Sequence, residues 1–197
     1  MSKHLQLTAE EYEEDSIKVF GFWIYLMTDL VLFASLFAVY AVLRVNTAGG
    51  ATGAQLFDAR FVLTETLILL TSSLLCGYTV LAARAGKLKV VFGTLMATMA
   101  LGVAFLTLEL SEFSTLVRDG NSWAVSGFLS SYFALVGTHG LHIAVGLVWG
   151  GALLVALYFR GFTRSTMRKL ALWSMFWHFL EIVWIFIFTF VYLFSLS

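Results

Sequence analysis

The chain of 197 residues contains no proline and a single cysteine, Cys76. One thiol excludes an intrachain disulfide and any CxxC metal motif. Without proline every helix is expected to keep an unbroken hydrogen-bond ladder, which weighs against transporters built from broken helices. Charge is scarce too: 12% of residues are charged, where soluble domains carry about a quarter. Twelve basic residues cancel twelve acidic ones and no basic block stands out, so nothing supports nucleic-acid binding. The start is acidic ("EEYEED", residues 10–15), the opposite of a signal peptide, so the first apolar segment is expected to be retained.

What the chain has in abundance is apolar surface, with 60% hydrophobic residues and a mean hydropathy of +0.89. A single water-soluble core cannot hide that much, and a bilayer core accepts about 20 apolar residues per helix. Five stretches qualify, at residues 19–43, 61–83, 88–116, 127–159 and 170–196. The sequence therefore predicts an all-α integral membrane protein, a bundle of five transmembrane helices (residues 19–197) behind an acidic arm (residues 1–18). The arm's composition fits either docking on a partner or disorder. Lysine and arginine set the orientation. Lys3, Lys18, Arg84, Lys87, Lys89, Arg160, Arg164, Arg168 and Lys169 fall on one side, against Arg44, Arg60 and Arg118 on the other. That bias puts the N-terminus in the cytoplasm and the C-terminus outside, which for a bacterial inner membrane is the periplasm.

Every span carries ionisable groups: Asp29 in the first, Glu65 in the second, Glu109 and Glu112 in the third, His139 and His142 in the fourth, His178 and Glu181 in the fifth. A carboxylate at bilayer depth costs about 2.5–3.5 kcal/mol on insertion scales, so such groups face other helices and find partners there. Glu109 and Glu112, His139 and His142, and His178 and Glu181 are i, i+3 pairs, which places each pair on one helix face. On chemistry alone four readings stay open. Histidines of spans four and five could hold a haem; Glu and His could form a di-iron site, though the order His178-x-x-Glu181 matches poorly; Asp29, Glu65 and Glu181 could line a proton path; or the groups make structural contacts between helices, lipid or subunits. Trp173, Trp177 and Trp184 share a face with Glu181 and read as packing or interface anchors. Gly146 and Gly150 permit a close helix approach.

Several long motifs, in order, resemble subunit III of the haem-copper respiratory oxidases: "FGFWIYLMTDLVLFASLF", "ETLILLTSS", "LELSEF", "THGLHIAVGLVW" and "FWHFLEIVWIFIF". The resemblance runs from about Lys18 to the C-terminus. It is greatest to the five-helix form found in bo-type ubiquinol oxidases, since the two extra leading helices of many cytochrome c oxidase versions are missing and Asp29 stands where those more often have Glu. A five-helix cytochrome c oxidase subunit is the alternative; a stand-alone bis-histidine cytochrome or a carboxylate-lined proton channel is more distant.

The resemblance implies a chain without catalytic residues, haem or copper of its own. It would work in an enzyme complex of the inner membrane that oxidises ubiquinol, reduces oxygen to water and moves protons. Haems and copper would lie in subunit I, on which this chain would pack; subunits II and IV would complete the complex, and phospholipid would sit between helices. Asp29, Glu65, Glu109, Glu112, His139, His142, His178 and Glu181 become candidates for intramembrane polar contacts. His178 and Glu181 are expected to meet His139 or His142. Glu181 stands where the family usually has Asp. Arg84, Lys87, Lys89, Arg160, Arg164 and Arg168 become candidates for lipid headgroups, beside their plainer role as the positive-inside signal.

Overall fold

The computed structural model describes the backbone of residues 9–196 and the side chains of residues 16–195. Lys3 and the first half of the acidic arm lie outside that range. From Ala9 onward the arm is helical and continuous with the first span, so α1 (Ala9–Leu43) starts ten residues before the apolar run does. Then follow a short α2 (Gly53–Leu56), α3 (Ala59–Arg84), α4 (Leu88–Arg118), α5 (Gly127–Arg160) and α6 (Arg164–Ile187). Five of these helices are long and apolar enough to cross a bilayer.

The boundaries follow local chemistry. The Asp58 side chain accepts the Arg60 amide at the start of α3, and Ser126 caps α5 by accepting the Leu129 amide at 3.2 Å. Thr163 and Thr166 satisfy each other's backbone amides at the start of α6. Gly86, at φ +71°, turns the chain out of α3, and the Lys87 amide then closes on the Ala82 carbonyl. A residue with a Cβ would be strained in that left-handed position.

The last span departs from expectation. Its hydrogen-bond ladder shifts register into a π-helical turn at Phe188–Leu193 before a final turn, α7 (Phe194–Leu196). The absence of proline leaves every amide free to donate, yet it does not fix which carbonyl each one chooses. A π turn keeps the bonds while inserting one residue, and here it leaves Val191 and Tyr192 buried.

Helices α3, α4, α5 and α6 pack as consecutive neighbours around one core, and α1 lies at the edge against α5 and α6. Small residues set the spacing. Gly102 of α4 and Gly146 of α5 both accept the ring of Trp177, where an added Cβ would meet ring atoms at 2.7 Å and 3.1 Å. At Gly150 a Cβ would overlap the Met99 sulfur. Trp173, Trp177 and Trp184 are all within 2% of full burial, so the tryptophan stripe is core. Each also donates its indole N–H across a helix boundary: Trp173 to the Gly146 carbonyl (2.8 Å), Trp177 to Ser72 (2.9 Å) and Trp184 to Thr66 (3.1 Å). Buried Trp keeps a partner for its polar edge.

Between α1 and α6 the surface sinks into an apolar groove of about 940 Å³. Trp23, Leu30, Phe33, Phe179, Ile182 and Phe186 line it, Arg44 closes one end, and His178 lies in its wall.

Candidate functional site: polar contacts between apolar helices

The intramembrane polar residues fall into three sets. At the middle of the spans, Ser73 of α3 meets His178 and Glu181 of α6. The Ser73 hydroxyl donates to the Glu181 carboxylate, and its oxygen lies 2.6 Å from His178 Nδ1. One hydroxyl has one hydrogen, so with that hydrogen on Glu181 the imidazole N–H is the donor to Ser73. His178 Nδ1 is also 3.5 Å from Glu181. Neither His139 nor His142 takes part, contrary to expectation. The i, i+3 pair is closed by a serine, and α3 rather than α5 supplies it.

The second set joins α1 to α5. Asp29 faces His142 Nε2 at 3.8 Å, and His142 Nδ1 donates to the Thr138 carbonyl one turn back at 2.7 Å. Phe33 packs on the same imidazole, with centroids 5.2 Å apart.

The third set lies nearer the end of the bundle where α3 and α5 begin and α4 stops. It contains Glu65, Glu109 and Glu112 with Tyr132 of α5 and Tyr192 of the π-helical turn. Tyr192 donates to Glu112 at 3.1 Å, and the two tyrosine hydroxyls are 3.1 Å apart. Glu109 lies flat on α5 at Gly140, where an added Cβ would sit 2.6 Å from its carboxylate. Glu65 is fully buried, and both of its carboxyl oxygens are unpaired among the described residues.

His139 stands apart. Its Nε2 donates to the Leu180 carbonyl at 3.2 Å, and Phe105 and Trp184 enclose the ring. Spacing places His139 and His142 on one face of α5, yet one turns to α4 and α6 and the other to α1. Their three engaged nitrogens serve separate partners: His139 Nε2 the Leu180 carbonyl, His142 Nδ1 the Thr138 carbonyl and His142 Nε2 Asp29. Among the described residues, no group of three or more His, Cys, Asp or Glu is arranged to hold a metal ion.

Sequence reasoning missed Ser73, Tyr132 and Tyr192. Ser73 stands beside the equally small Ser72, and the sequence does not say which of them meets a charge. Tyr192 reaches Glu112 from within the π-helical turn, which leaves no mark in composition. Two further cross-helix contacts are neutral: Thr79 donates to Thr94 at 2.8 Å, and the Cys76 thiol to Ser174 at 3.4 Å. Cys76 is thus a buried packing residue.

Against known proteins, residues 11–196 match the family model for cytochrome c oxidase subunit III. Subunit 3 of the cytochrome bo(3) ubiquinol oxidase of Pseudomonas aeruginosa is 49% identical, over 89% of this chain and 84% of its own length. Subunit 3 of the quinol oxidase of Bacillus subtilis is 42% identical, over 95% and 93%. A cytochrome c oxidase subunit 3 from Bacillus sp. PS3 is 40% identical, over 95% of both chains.

Proposed function

The chain belongs to the cytochrome c oxidase subunit III family, and from that premise we propose that it serves as the non-catalytic third subunit of a terminal quinol oxidase. The complex would oxidise ubiquinol, reduce oxygen to water and translocate protons across a bacterial inner membrane. The observation that carries this reading is the match to quinol oxidase subunits over most of both chains. The geometry is compatible with it: Ser73 with His178 and Glu181, Asp29 with His142, and Glu112 with Tyr192 make contacts between helices. Cytochrome c as electron donor is the second reading, favoured by the relative of that name.

In this reading subunit I, which carries the haems and copper, packs on the chain, with subunits II and IV in the same complex. Phospholipid or a partner helix covers the groove between α1 and α6. That face is too apolar to meet water, with Trp23, Leu30, Ile182 and Phe186 all more than 40% exposed. The lysine and arginine bias supports a cytoplasmic N-terminus, and anionic headgroups would then meet Arg84, Lys87, Lys89, Arg160, Arg164 and Arg168.

The test is haem per chain. The tagged chain is purified in mild detergent, its haem spectrum recorded, the partners stripped and the spectrum repeated. Haem present before and absent after supports a cofactor-free subunit, and quinol rather than cytochrome c as the electron source for oxygen uptake identifies the donor. Haem that stays on the isolated chain would refute the reading and return His139, His142 and His178 to candidacy as ligands.

A further inference from the structure

Three carboxyl side chains share one small region between α3, α4 and α5, and among the described residues no lysine or arginine is paired with any of them. Glu65 lies within electrostatic reach of Glu112 and Glu109, and Tyr132 and Tyr192 lie within reach of both Glu65 and Glu112. From α6, Trp184 points its indole N–H at Thr66, the residue next to Glu65, and not at a carboxyl. His139 of α5 gives its Nε2 hydrogen to a backbone carbonyl, leaving Nδ1 unpaired. Glu65 is 0% and Glu109 2% exposed. Three of their four oxygens, both from Glu65 and Oε2 from Glu109, have no hydrogen-bond partner among the described residues.

Three negative charges cannot stand together in hydrocarbon without compensation. Burying even one unpaired carboxylate is prohibitive, and like charges side by side raise the cost further. Compensation by a metal ion requires converging ligands, and these groups do not converge in that way. Protons remain. Glu112 is partly exposed, and it is the member that meets the hydroxyl pair of Tyr192 and Tyr132. Glu112 lies six residues from the end of α4, or about 9 Å at the rise of an α-helix. A hydroxyl can accept a proton on one lone pair and release its own, so the tyrosine pair carries the hydrogen-bonded chain inward from Glu112 without a fixed charge. The last step, to Glu65, is not bridged by a hydrogen bond among the described residues and needs a side-chain movement or a water. The hydroxyl at position 192 is in place because the chain turns π-helical there, a distortion that recurs at functional sites.

We propose that Glu65, Glu109 and Glu112, with Tyr132 and Tyr192, form a buried proton-exchanging site, loaded and emptied from the end of the bundle through Glu112. At Glu112, the partly exposed member, uptake converts a carboxylate and a proton into a neutral acid and release reverses it; the buried Glu65 and Glu109 stay neutral and trade one proton for another. The site is separate from the Asp29–His142 and Ser73–His178–Glu181 contacts, and its presence does not depend on which electron donor the complex uses.

The test is infrared spectroscopy of the intact complex in lipid nanodiscs, reading the carboxylic C=O band on transfer from H₂O to D₂O. In the wild type a C=O band should be present and should shift as its proton exchanges. Glu65→Gln should assemble at wild-type yield, because an amide copies the neutral acid, and should lose part of that band. Tyr192→Phe should keep the band and slow its exchange severalfold. The proposal is overturned if the band is unchanged in Glu65→Gln, which would mean that the group is ionised. It is overturned equally if the Glu65-dependent band never shifts in D₂O, which would mark a sealed structural contact. Failure of Glu65→Gln to assemble would count against it too, since a required charge is what the amide removes. None of these readouts uses the haem content of the chain, so failure here and failure of the subunit assignment are distinguishable.

Discussion

A methyl group added at Gly102 tests whether glycine-mediated contact with tryptophan holds α4, α5 and α6 together. The Cβ of Gly102→Ala would lie 2.7 Å and 2.9 Å from Trp177 ring atoms and 3.0 Å from a Leu147 methyl. The ring has nowhere to retreat. Its N–H is bonded to Ser72, it stacks on Trp173 with centroids 5.2 Å apart, and Gly146 approaches from α5. Overpacking of this kind costs about 1–3 kcal/mol, and the pinned ring argues for the upper half. Alanine also gains about 1 kcal/mol over glycine as a helix former, so the net loss is about 1–2 kcal/mol. Gly93 supplies the control on the same helix, because nothing lies within 4 Å of a Cβ there. Gly93→Ala gains the propensity without the clash and should be neutral or stabilising. The assay is the folded fraction of each purified variant against increasing denaturing detergent, followed by tryptophan fluorescence. Equal curves for the two variants would refute the reasoning, since they differ only in what the methyl meets.

Three other outcomes are expected. Ser73→Ala removes the hydroxyl that both His178 and Glu181 use, leaving Glu181 without its donor; assembly should weaken by about 1–3 kcal/mol, read as loss of the chain from the purified complex, and Ser73→Thr should restore most of it. Trp184→Phe removes the bond to Thr66 and part of the buried indole that packs on Phe105 and His139; its cost, read from the same detergent titration, should exceed the roughly 0.6–2 kcal/mol of a hydrogen bond between helices in lipid, because a cavity is left as well. Replacing Arg84, Lys87 and Lys89 together by Gln should reduce anionic lipid co-purifying with the complex, at about 1 kcal/mol, or roughly fivefold in affinity, for each charge near the headgroups; lipid analysis by mass spectrometry checks it, and unchanged lipid would leave these residues as an orientation signal alone.

The five spans were legible because hydropathy is a one-dimensional property. Side-chain direction was less so. An i, i+3 spacing puts two residues within about 60° of each other on a helix, yet α5 packs against α1, α4 and α6, so His139 and His142 serve different helices. Partner identity failed for the same reason: a serine is common in membrane helices, and only the packing of α3 on α6 selects Ser73 over Ser72 for the contact with His178 and Glu181. The π-helical turn was invisible because no residue type enforces it. It is a product of packing, in which the buried tyrosine Tyr192 bonds to Glu112 and Tyr132.

In lipid, apolar contacts between helices discriminate weakly, since the acyl chains are as apolar as the side chains they replace. Sliding one helix along another by a turn would exchange one set of leucines for another at little cost. Polar groups remove that degeneracy. Ser73 with His178 and Glu181 fixes α3 against α6; Asp29 with His142 fixes α1 against α5; Glu112 with Tyr192 fixes α4 against the end of the last span. The three contacts join different helix pairs at different depths, so together they admit one register. Helix α1 is tied to α5 through Asp29 and to the last span through Tyr40, whose hydroxyl lies 3.5 Å from the Val191 carbonyl. It is also the span with the least of its surface buried. A helix with so little of its surface buried, beside an apolar groove, can adjust to whatever fills that groove, while the four helices behind it are tied by tryptophan N–H groups and glycine contacts.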